Sequence, residues 1–214
     1  MYTRRLVCTD KIPKRLLDEL QKKYIEPGAW DMNNATINEF KTLMKKELIK
    51  LQDGKCAYCE LPLETRNPEI EHIAPKGGKK SPKHIECMFL PKNLVYACHN
   101  CNSPMCKGRK DVVLDKKNGS DYEKWSFSIV HPYLDDPAEY FDIIPLEDGS
   151  PGIIPIPKEN LDASHKSKAK NTIEMFQLNG EKMIELAKER IAQKYSNEII
   201  SIVRGVSEFR PNLT

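Results

Sequence analysis

Residues 56–59 read Cys-Ala-Tyr-Cys and residues 98–101 read Cys-His-Asn-Cys, on either side of Glu71-His72. Two such pairs can meet around one tetrahedral Zn²⁺, because each short turn presents two thiolates to the same ion. One pair alone would also be typical of a redox motif, whereas two pairs favour a structural metal site. We therefore predict a structural zinc site whose ligands are Cys56, Cys59, Cys98 and Cys101.

The composition of the chain limits the classes of protein to which it can belong. The 214 residues are 39% hydrophobic and 30% charged, which is typical of a soluble globular protein of one or two domains. No apolar run approaches the roughly 20 residues that span a bilayer, so we expect no membrane contact. The apolar part of the first residues is too short for a signal peptide, and the cysteine count of 7 is odd. We expect a cytoplasmic protein with reduced thiols and no disulfide framework.

The apolar periodicity divides the chain into three segments. The segment 1–53 contains two predicted helices, over 13–25 and 35–51, the second capped by Asn34 or Thr36. The central segment, 54–115, is rich in Cys, His, Pro and Gly and has too few periodic apolar residues for a large core of its own. The last segment, 116–214, begins irregularly and then becomes helical. We predict helices at both ends around a metal-bound centre, together forming one compact unit, which is an α+β fold.

Short elements are predicted within the second and third segments. Strands are expected at 69–73 and 93–97, and a short helix is expected to begin near Asn102-Ser103-Pro104, since proline is tolerated in a first helical turn. Further strands are predicted near 125–130 and 153–156. Apolar stripes predict helices that include 169–178, 184–195 and 199–203.

The centre of the chain contains residues suited to hydrolysis of a phosphodiester. Such hydrolysis needs an activated water and a cation that stabilises charge on the phosphate. A histidine titrates near neutral pH and is the usual general base, which favours His72 for that role. The adjacent carboxylate of Glu71 and the amide oxygen of Asn102 are ligands that Mg²⁺ or Mn²⁺ prefers.

Two basic clusters flank this region, although the formal net charge is only +3. We predict that their side chains contact phosphates of a nucleic acid, because local clusters matter more than the total charge. The predicted contact residues are Lys76, Lys79, Lys80, Lys107 and Arg109. The other four histidines, His84, His99, His131 and His165, are assigned to surface or hydrogen-bonding positions.

Three stretches together resemble the zinc-bound form of the HNH endonuclease motif. They are Ile70-Glu-His-Ile-Ala-Pro-Lys76, Asn93-Leu-Val-Tyr-Ala-Cys-His-Asn-Cys-Asn102 and Lys107-Gly108. The resemblance implies a small ββα-metal core within 54–115, which the four-cysteine zinc site holds together and the terminal helices surround. It also implies that His72 is the general base and that Glu71 and Asn102 hold the catalytic Mg²⁺ or Mn²⁺. Asn93 would then brace the loop that orients His72.

A looser resemblance covers most of the chain. The central motifs, with Asp136-Pro137, Tyr140-Phe141 and the pattern from Ala169 to Asn179, resemble the nuclease subunit of Septu anti-phage systems and the HNH effectors of certain retrons. This resemblance implies a DNA nuclease of an anti-phage defence complex with an ATPase subunit. For a retron-type member it also implies a reverse transcriptase with its RNA–DNA product. The chain itself has no Gly-x-x-x-x-Gly-Lys-Ser/Thr motif for ATP.

Two features of the sequence leave alternatives open. The spacing from Cys101 to Lys107-Gly108 is two residues longer than is usual in the motif, so no further metal ligand is assigned on the following segment. Adjacent residues of a regular strand point to opposite faces, so Glu71 and His72 share a site only if the strand is irregular or the phosphate lies between them. A non-catalytic, zinc-ribbon-like module that binds nucleic acid or protein is the alternative function. It would need neither Glu71-His72 nor Asn102.

Overall fold

The structure is a computed structural model that describes residues 5–64, 66–116, 119, 121–144, 154–181, 184–186, 188 and 196. The described helices are α1 (Lys14–Lys23), α2 (Ala35–Leu51), α3 (His99–Asn102), α4 (Pro137–Tyr140) and α5 (Ala163–Phe176). The strands are β1 (Glu69–His72), β2 (Gly77–Gly78), β3 (Ser81–Pro82), β4 (Leu94–Ala97), β5 (Val113–Asp115), β6 (Ser126–Phe127), β7 (Phe141–Ile144) and β8 (Ile154–Pro157). This mixture of helices and small antiparallel sheets confirms the α+β class.

The two N-terminal helices form where the apolar periodicity predicted them. Buried residues recur along α2 at helical spacing, and they are Ile37, Phe40, Met44 and Leu48. The Asn34 side chain accepts hydrogen bonds from the backbone N–H groups of Thr36 and Ile37, which confirms it as the N-cap. A short 3₁₀ helix, Ala29–Asp31, lies between α1 and α2 and brings Trp30 into the core.

A hairpin-like pair of strands organises the centre of the molecule. Strand β1 pairs antiparallel with β4, and His72 lies opposite Leu94. Both strands were predicted, and α3 follows β4 directly, so the order is β, β, α. Among the strands that the structure describes, β1 pairs with β4 alone. The other edge of β1 is therefore available to line a cleft.

The short helix after β4 begins earlier than the sequence predicted. We expected it to begin near Asn102-Ser103-Pro104, but α3 already ends at Asn102. Ser103 is extended, with φ −71° and ψ 159°, because the ring of Pro104 disfavours a helical conformation in the preceding residue. The chain then turns back at Gly108, whose φ is +46° and where a Cβ would lie 2.9 Å from the Cα of Pro104. A tight loop thus accommodates the two additional residues between Cys101 and Lys107-Gly108.

The C-terminal segment packs against the same core. Strand β6 falls in the range predicted at 125–130, and β8 overlaps the range predicted at 153–156; their partners β5 and β7 were not predicted. The stripe that includes 169–178 lies on α5 and continues just past its end. The helix predicted over 184–195 is described only at 184–186 and 188, and the one over 199–203 lies outside the described residues.

One hydrophobic cluster joins the three segments of the chain, from Ile12 in the first to Leu178 in the last. The ring of Tyr58, which lies between the first two cysteines, stacks on Phe176 of α5 with 4.1 Å between ring centroids. The C-terminal helix thus directly supports the cysteine-bearing loop. In the described part of the chain, no helix combines the length and the apolar character that a membrane span needs.

Candidate functional site

The four predicted cysteines form a buried cluster. Their sulfur atoms all lie within 4.8 Å of one another, and the Sγ atoms of Cys59 and Cys98 are 3.9 Å apart. The first pair lies in the loop after α2, and the second pair lies where β4 ends and α3 begins. Four thiols at this spacing fit a structural Zn²⁺ in number and ligand type. Within the described ranges, no other group of three or more His, Cys, Asp or Glu side chains is arranged to hold a metal.

The backbone prepares this cluster for a cation. The N–H of Cys98 donates a hydrogen bond to the sulfur of Cys56 across 3.3 Å. Hydrogen bonds from Cys101 and then from Cys56 lower the pKa of the Cys98 thiol. A lowered pKa favours the thiolate of Cys98, and a thiolate is the form that binds metal.

The imidazole of His72 is held in one orientation at the end of β1. Its Nε2 lies 3.1 Å from the carbonyl oxygen of Met88, and its ring meets the edge of Trp30 with 4.4 Å between ring centroids. A carbonyl can only accept a hydrogen bond, so Nε2 carries the hydrogen in the neutral ring. Nδ1 is then the nitrogen that can accept a proton.

The surroundings of His72 keep it neutral. Burial lowers its pKa from 6.5 to about 3, and the positive charge of Lys76 acts in the same direction. Lys107 and Lys41 add smaller contributions of the same sign. His72 is therefore unprotonated at neutral pH, which is the state that a general base requires.

Glu71 forms a buried ion pair with Lys107. The Nζ atom of Lys107 contacts Oε1 of Glu71 and also donates to the carbonyl oxygen of His72 across 2.8 Å. Burial raises the pKa of Glu71, and the charge of Lys107 opposes this shift. The Lys107 side chain is 0% exposed, so it lacks the exposure that our prediction of a phosphate contact needs. That prediction is corrected: Lys107 supports the strand from inside.

Asn93 joins two loops around His72. Its Oδ1 accepts a hydrogen bond from the N–H of Ala74 at 2.7 Å, and its Nδ2 donates to the carbonyls of Ala74 and Cys87 at 3.1 and 3.0 Å. The backbone oxygen of Asn93 also accepts from the N–H of Ile73. Asn93 thus connects the chain just after His72 with the loop that precedes Met88.

Asn102 lies at the end of α3, and its Nδ2 donates to Oε2 of Glu69 across 2.9 Å. This contact turns the amide nitrogen toward Glu69, so Oδ1 is the atom that Asn102 can offer to a cation. Glu69 was not singled out in the sequence, although its place two residues before Glu71 puts both carboxylates on one face of β1. The carboxylates of Glu69 and Glu71 and the amide of Asn102 are oxygen ligands of the type that Mg²⁺ or Mn²⁺ prefers.

One cleft of about 1100 Å³ is lined by Glu69, Glu71, His72 and Asn102. All four residues of β1 line this cleft, so Glu71 and His72 border the same space although they are adjacent in the strand. Adjacent residues of a regular strand point to opposite faces, yet both of these residues border one cleft while β1 keeps a regular register with β4. Trp30 and Lys41, from the N-terminal segment, also line the cleft, and neither was assigned to the site from the sequence.

The mouth of the cleft is basic. Lys76 lines it and pairs with Asp31 at 3.1 Å, and the exposed Arg109 also lines it. Lys79 and Lys80 are exposed at the turn between β2 and β3, next to the lining residues Gly77 and Gly78. Gly77, with φ +72°, is needed for this turn because a Cβ would lie 2.3 Å from the carbonyl oxygen of Ser81.

Comparison with known proteins gives one partial similarity. No family model matches the chain. The chain is similar to the CRISPR-associated endonuclease Cas9 of Corynebacterium diphtheriae, with 35% identity over 78 residues. The matched part is 36% of this chain but 6% of the Cas9, so the chain corresponds to a small portion of the relative's length. The chain thus combines a region that is similar to part of an endonuclease with a buried cluster of four cysteines that could hold zinc.

Proposed function

We propose that this protein is a metal-dependent endonuclease of the HNH type that hydrolyses phosphodiester bonds of DNA. The observation that carries the proposal is the arrangement of His72, which is neutral and held in one tautomer in a cleft that Glu71 and Asn102 also line. A zinc-ribbon-like adaptor would not need a histidine prepared in this way. The partial similarity to an endonuclease supports the same reaction class.

In this mechanism Nδ1 of His72 takes a proton from a water molecule as the water oxygen bonds to the scissile phosphorus. The bond from phosphorus to the leaving sugar oxygen breaks, and that oxygen takes a proton from solvent water. A pKa near 3 makes the free imidazole a weak base, but part of that shift comes from the nearby charges of Lys76, Lys107 and Lys41. A phosphate bound in the cleft would offset those charges and raise the pKa of His72 toward the working range. Substrate binding would therefore activate the base.

Glu71 and Asn102 would hold the catalytic Mg²⁺ or Mn²⁺, with Glu69 orienting the amide of Asn102. When bound, such an ion supplies a Lewis acid that stabilises negative charge on the phosphate and the leaving oxygen. Lys107 keeps the carboxylate of Glu71 in place and fixes the carbonyl of His72. The four-cysteine cluster would hold a structural Zn²⁺, which fastens the loop after α2 to the start of α3.

The basic mouth of the cleft would bind the DNA backbone. Lys76 and Arg109 line the cleft, Lys79 and Lys80 extend it, and Lys41 adds a cation from α2. Contacts of this kind position a duplex without reading its sequence. Affinity should accordingly fall as the salt concentration rises.

The resemblance to Septu and retron nucleases supports a role as the effector of a cytoplasmic anti-phage complex. In that role the partners would be an ATPase subunit and, in a retron-type system, a reverse transcriptase with its RNA–DNA product. Purification of a tagged chain from its native host, followed by mass spectrometry, tests this. Recovery of the chain without an ATPase at stoichiometric level would contradict it.

Cleavage of a plasmid and of a labelled DNA duplex, with Mg²⁺ or Mn²⁺, tests the activity. His72→Ala should reduce the rate by about 10²–10⁴-fold, the usual cost of losing a general base. His165→Ala is the matched control, because His165 is exposed and hydrogen-bonded to Asp162 on α5, away from the cleft. Cleavage of RNA but not DNA would change the substrate, and DNA binding without cleavage would favour the adaptor.

A further inference from the structure

A buried hydrogen-bond chain connects Asn93 to the segment that follows the predicted nuclease core. The hydroxyl of Tyr122 lies 2.8 Å from Oδ1 of Asn93 and 3.0 Å from Nε2 of His131. Tyr122 is 5% exposed, and Asn93 and His131 are 0% exposed. Both ends of this hydrogen-bond chain are therefore shielded from water. In such a buried place a polar group without a hydrogen-bond partner is costly.

The backbone around His131 fixes the direction of every hydrogen in this chain. The N–H groups of Tyr133 and Leu134 donate to Nδ1 of His131, at 3.1 and 3.2 Å. Burial, and to a smaller extent the charge of Lys168, keeps the pKa of His131 well below its usual value, so the ring is neutral. A neutral ring that accepts at Nδ1 carries its hydrogen on Nε2 and donates it to the oxygen of Tyr122.

The oxygen of Tyr122 accepts from His131, so the hydroxyl hydrogen of Tyr122 is available for Asn93. Burial raises the pKa of Tyr122 well above its usual value, so the hydroxyl stays protonated. Its hydrogen needs an acceptor, and Oδ1 of Asn93 supplies one. The opposite orientation of the Asn93 amide would place its NH₂ group against the N–H of Ala74 and leave the Tyr122 hydrogen without an acceptor. The hydrogen bonds from His131 through Tyr122 thus reinforce the amide orientation that the contacts of Asn93 with Ala74 and Cys87 also require.

That orientation bears directly on the candidate base. Asn93 contacts Ala74, two residues after His72, and Cys87, one residue before Met88. The carbonyl of Met88 is the acceptor that orients the His72 ring. A shift of either loop would therefore move the imidazole relative to the cleft.

We propose that Tyr122 and His131 are positioning residues for the active site, acting on His72 through the amide of Asn93. The proposal rests on the proposed nuclease function, and it assigns part of the site to the segment after residue 116. The residues that follow the metal-bound core would then be required for catalysis and not only for partner binding. A displacement of about 1 Å of a catalytic group can cost on the order of 10²-fold in rate.

The test compares Tyr122→Phe with Tyr140→Phe in the full-length, zinc-loaded protein. Both variants lose one tyrosine hydroxyl, but that of Tyr140 donates to Asp135, whose other oxygen accepts from the backbone N–H of His131. Tyr140→Phe therefore perturbs the surroundings of His131 while it leaves the side-chain hydrogen bonds from His131 to Asn93 in place. We expect Tyr122→Phe to lower kcat by about 10–100-fold with little change in KM, because the basic mouth is untouched. We expect Tyr140→Phe to cleave like the wild type. Equal kcat for Tyr122→Phe and wild type would overturn the proposal.

A second variant separates positioning from loss of fold. In His131→Asn the side-chain oxygen can still accept from the N–H groups of Tyr133 and Leu134, while the donor to Tyr122 is lost. We expect its kcat to fall as in Tyr122→Phe, with melting temperature close to that of Tyr140→Phe. A normal kcat for His131→Asn would remove His131 from the proposal.

Hydrogen exchange of the Ala74 amide, measured by NMR, provides a readout that does not need cleavage. The Ala74 N–H donates to Oδ1 of Asn93, so we expect its exchange in Tyr122→Phe to be about tenfold faster than in Tyr140→Phe. An unchanged rate would overturn the hydrogen-bond chain even if the wild type cuts DNA. A wild type without nuclease activity would instead refute the proposed function, and the exchange result would still decide whether Tyr122 holds Asn93.

Discussion

Replacement of Lys107 by methionine should destabilise the protein far more than its single charge suggests. Methionine fills nearly the same volume, so packing changes little. What is lost is the ammonium that contacts Glu71 and donates to the carbonyl of His72, at a site where Lys107 is 0% and Glu71 is 7% exposed. The variant leaves a buried carboxylate without its counter-charge.

The structure sets the expected size of the effect. Removing one partner of a buried ion pair costs about 3–5 kcal/mol, and for a chain of this length each kcal/mol lowers the melting temperature by about 2–4 °C. We therefore expect Lys107→Met to melt about 6–20 °C below the wild type. Lys23→Met is the matched control, because the ion pair of Lys23 with Glu19 is exposed on α1. It should melt within about 2 °C of the wild type.

Thermal unfolding of the zinc-loaded proteins by circular dichroism provides the measurement. The double variant Glu71→Gln/Lys107→Met carries no unpaired charge, so its loss of stability should be smaller than the sum of the two single losses by about 0.5–3 kcal/mol. If Lys107→Met melts within about 2 °C of the wild type, or the two losses are additive, the buried ion pair does not exist in solution. This result would refute the reasoning without any reference to nuclease activity.

Three further predictions concern the metals and the base. The purified protein should carry about one zinc per chain by elemental analysis, and Cys56→Ser should lower its melting temperature because metal binding and folding are coupled; well-folded protein without zinc would contradict this. EDTA should stop cleavage while the thiolate-bound zinc survives, and Mg²⁺ or Mn²⁺ should restore activity to wild type but poorly to Glu71→Ala or Asn102→Ala; equal recovery would place the ion elsewhere. Since the pKa of His72 is lowered from 6.5 to about 3, the free protein keeps its base unprotonated as the pH falls through 6.5. The pH profile of kcat/KM should therefore show no acid limb near pH 6.5. The acid limb of kcat should lie at higher pH than that of kcat/KM, because bound phosphate raises the pKa of His72. An acid limb of kcat/KM at pH 6.5 would contradict a buried base.

The sequence determined the features that depend on local patterns. The period of apolar residues in α1 and α2 defined both helices, and it limited the cap of α2 to Asn34 or Thr36, of which the structure uses Asn34. The spacing of the cysteine pairs predicted that the four cysteines come together, because two short turns can converge on one ion. The helix after β4 begins earlier in the chain than the sequence predicted. Pro104 does not lie in a first helical turn, and its ring keeps Ser103 extended just after the helix ends.

Only the tertiary structure decided which distant groups meet. A cluster of Lys107 and Arg109 reads as a phosphate-binding surface, yet the fold buries Lys107 against Glu71 and leaves Arg109 at the cleft. Tyr122 and His131 carry no motif, and only the fold places Tyr122 against Asn93 and His131 against Tyr122. The contact of Tyr122 with Asn93 joins residues 29 positions apart, and that of Lys107 with Glu71 joins residues 36 positions apart. Local propensity holds no information about such contacts. Burial, which decides whether a charge binds phosphate or supports a strand, is a property of the packed molecule.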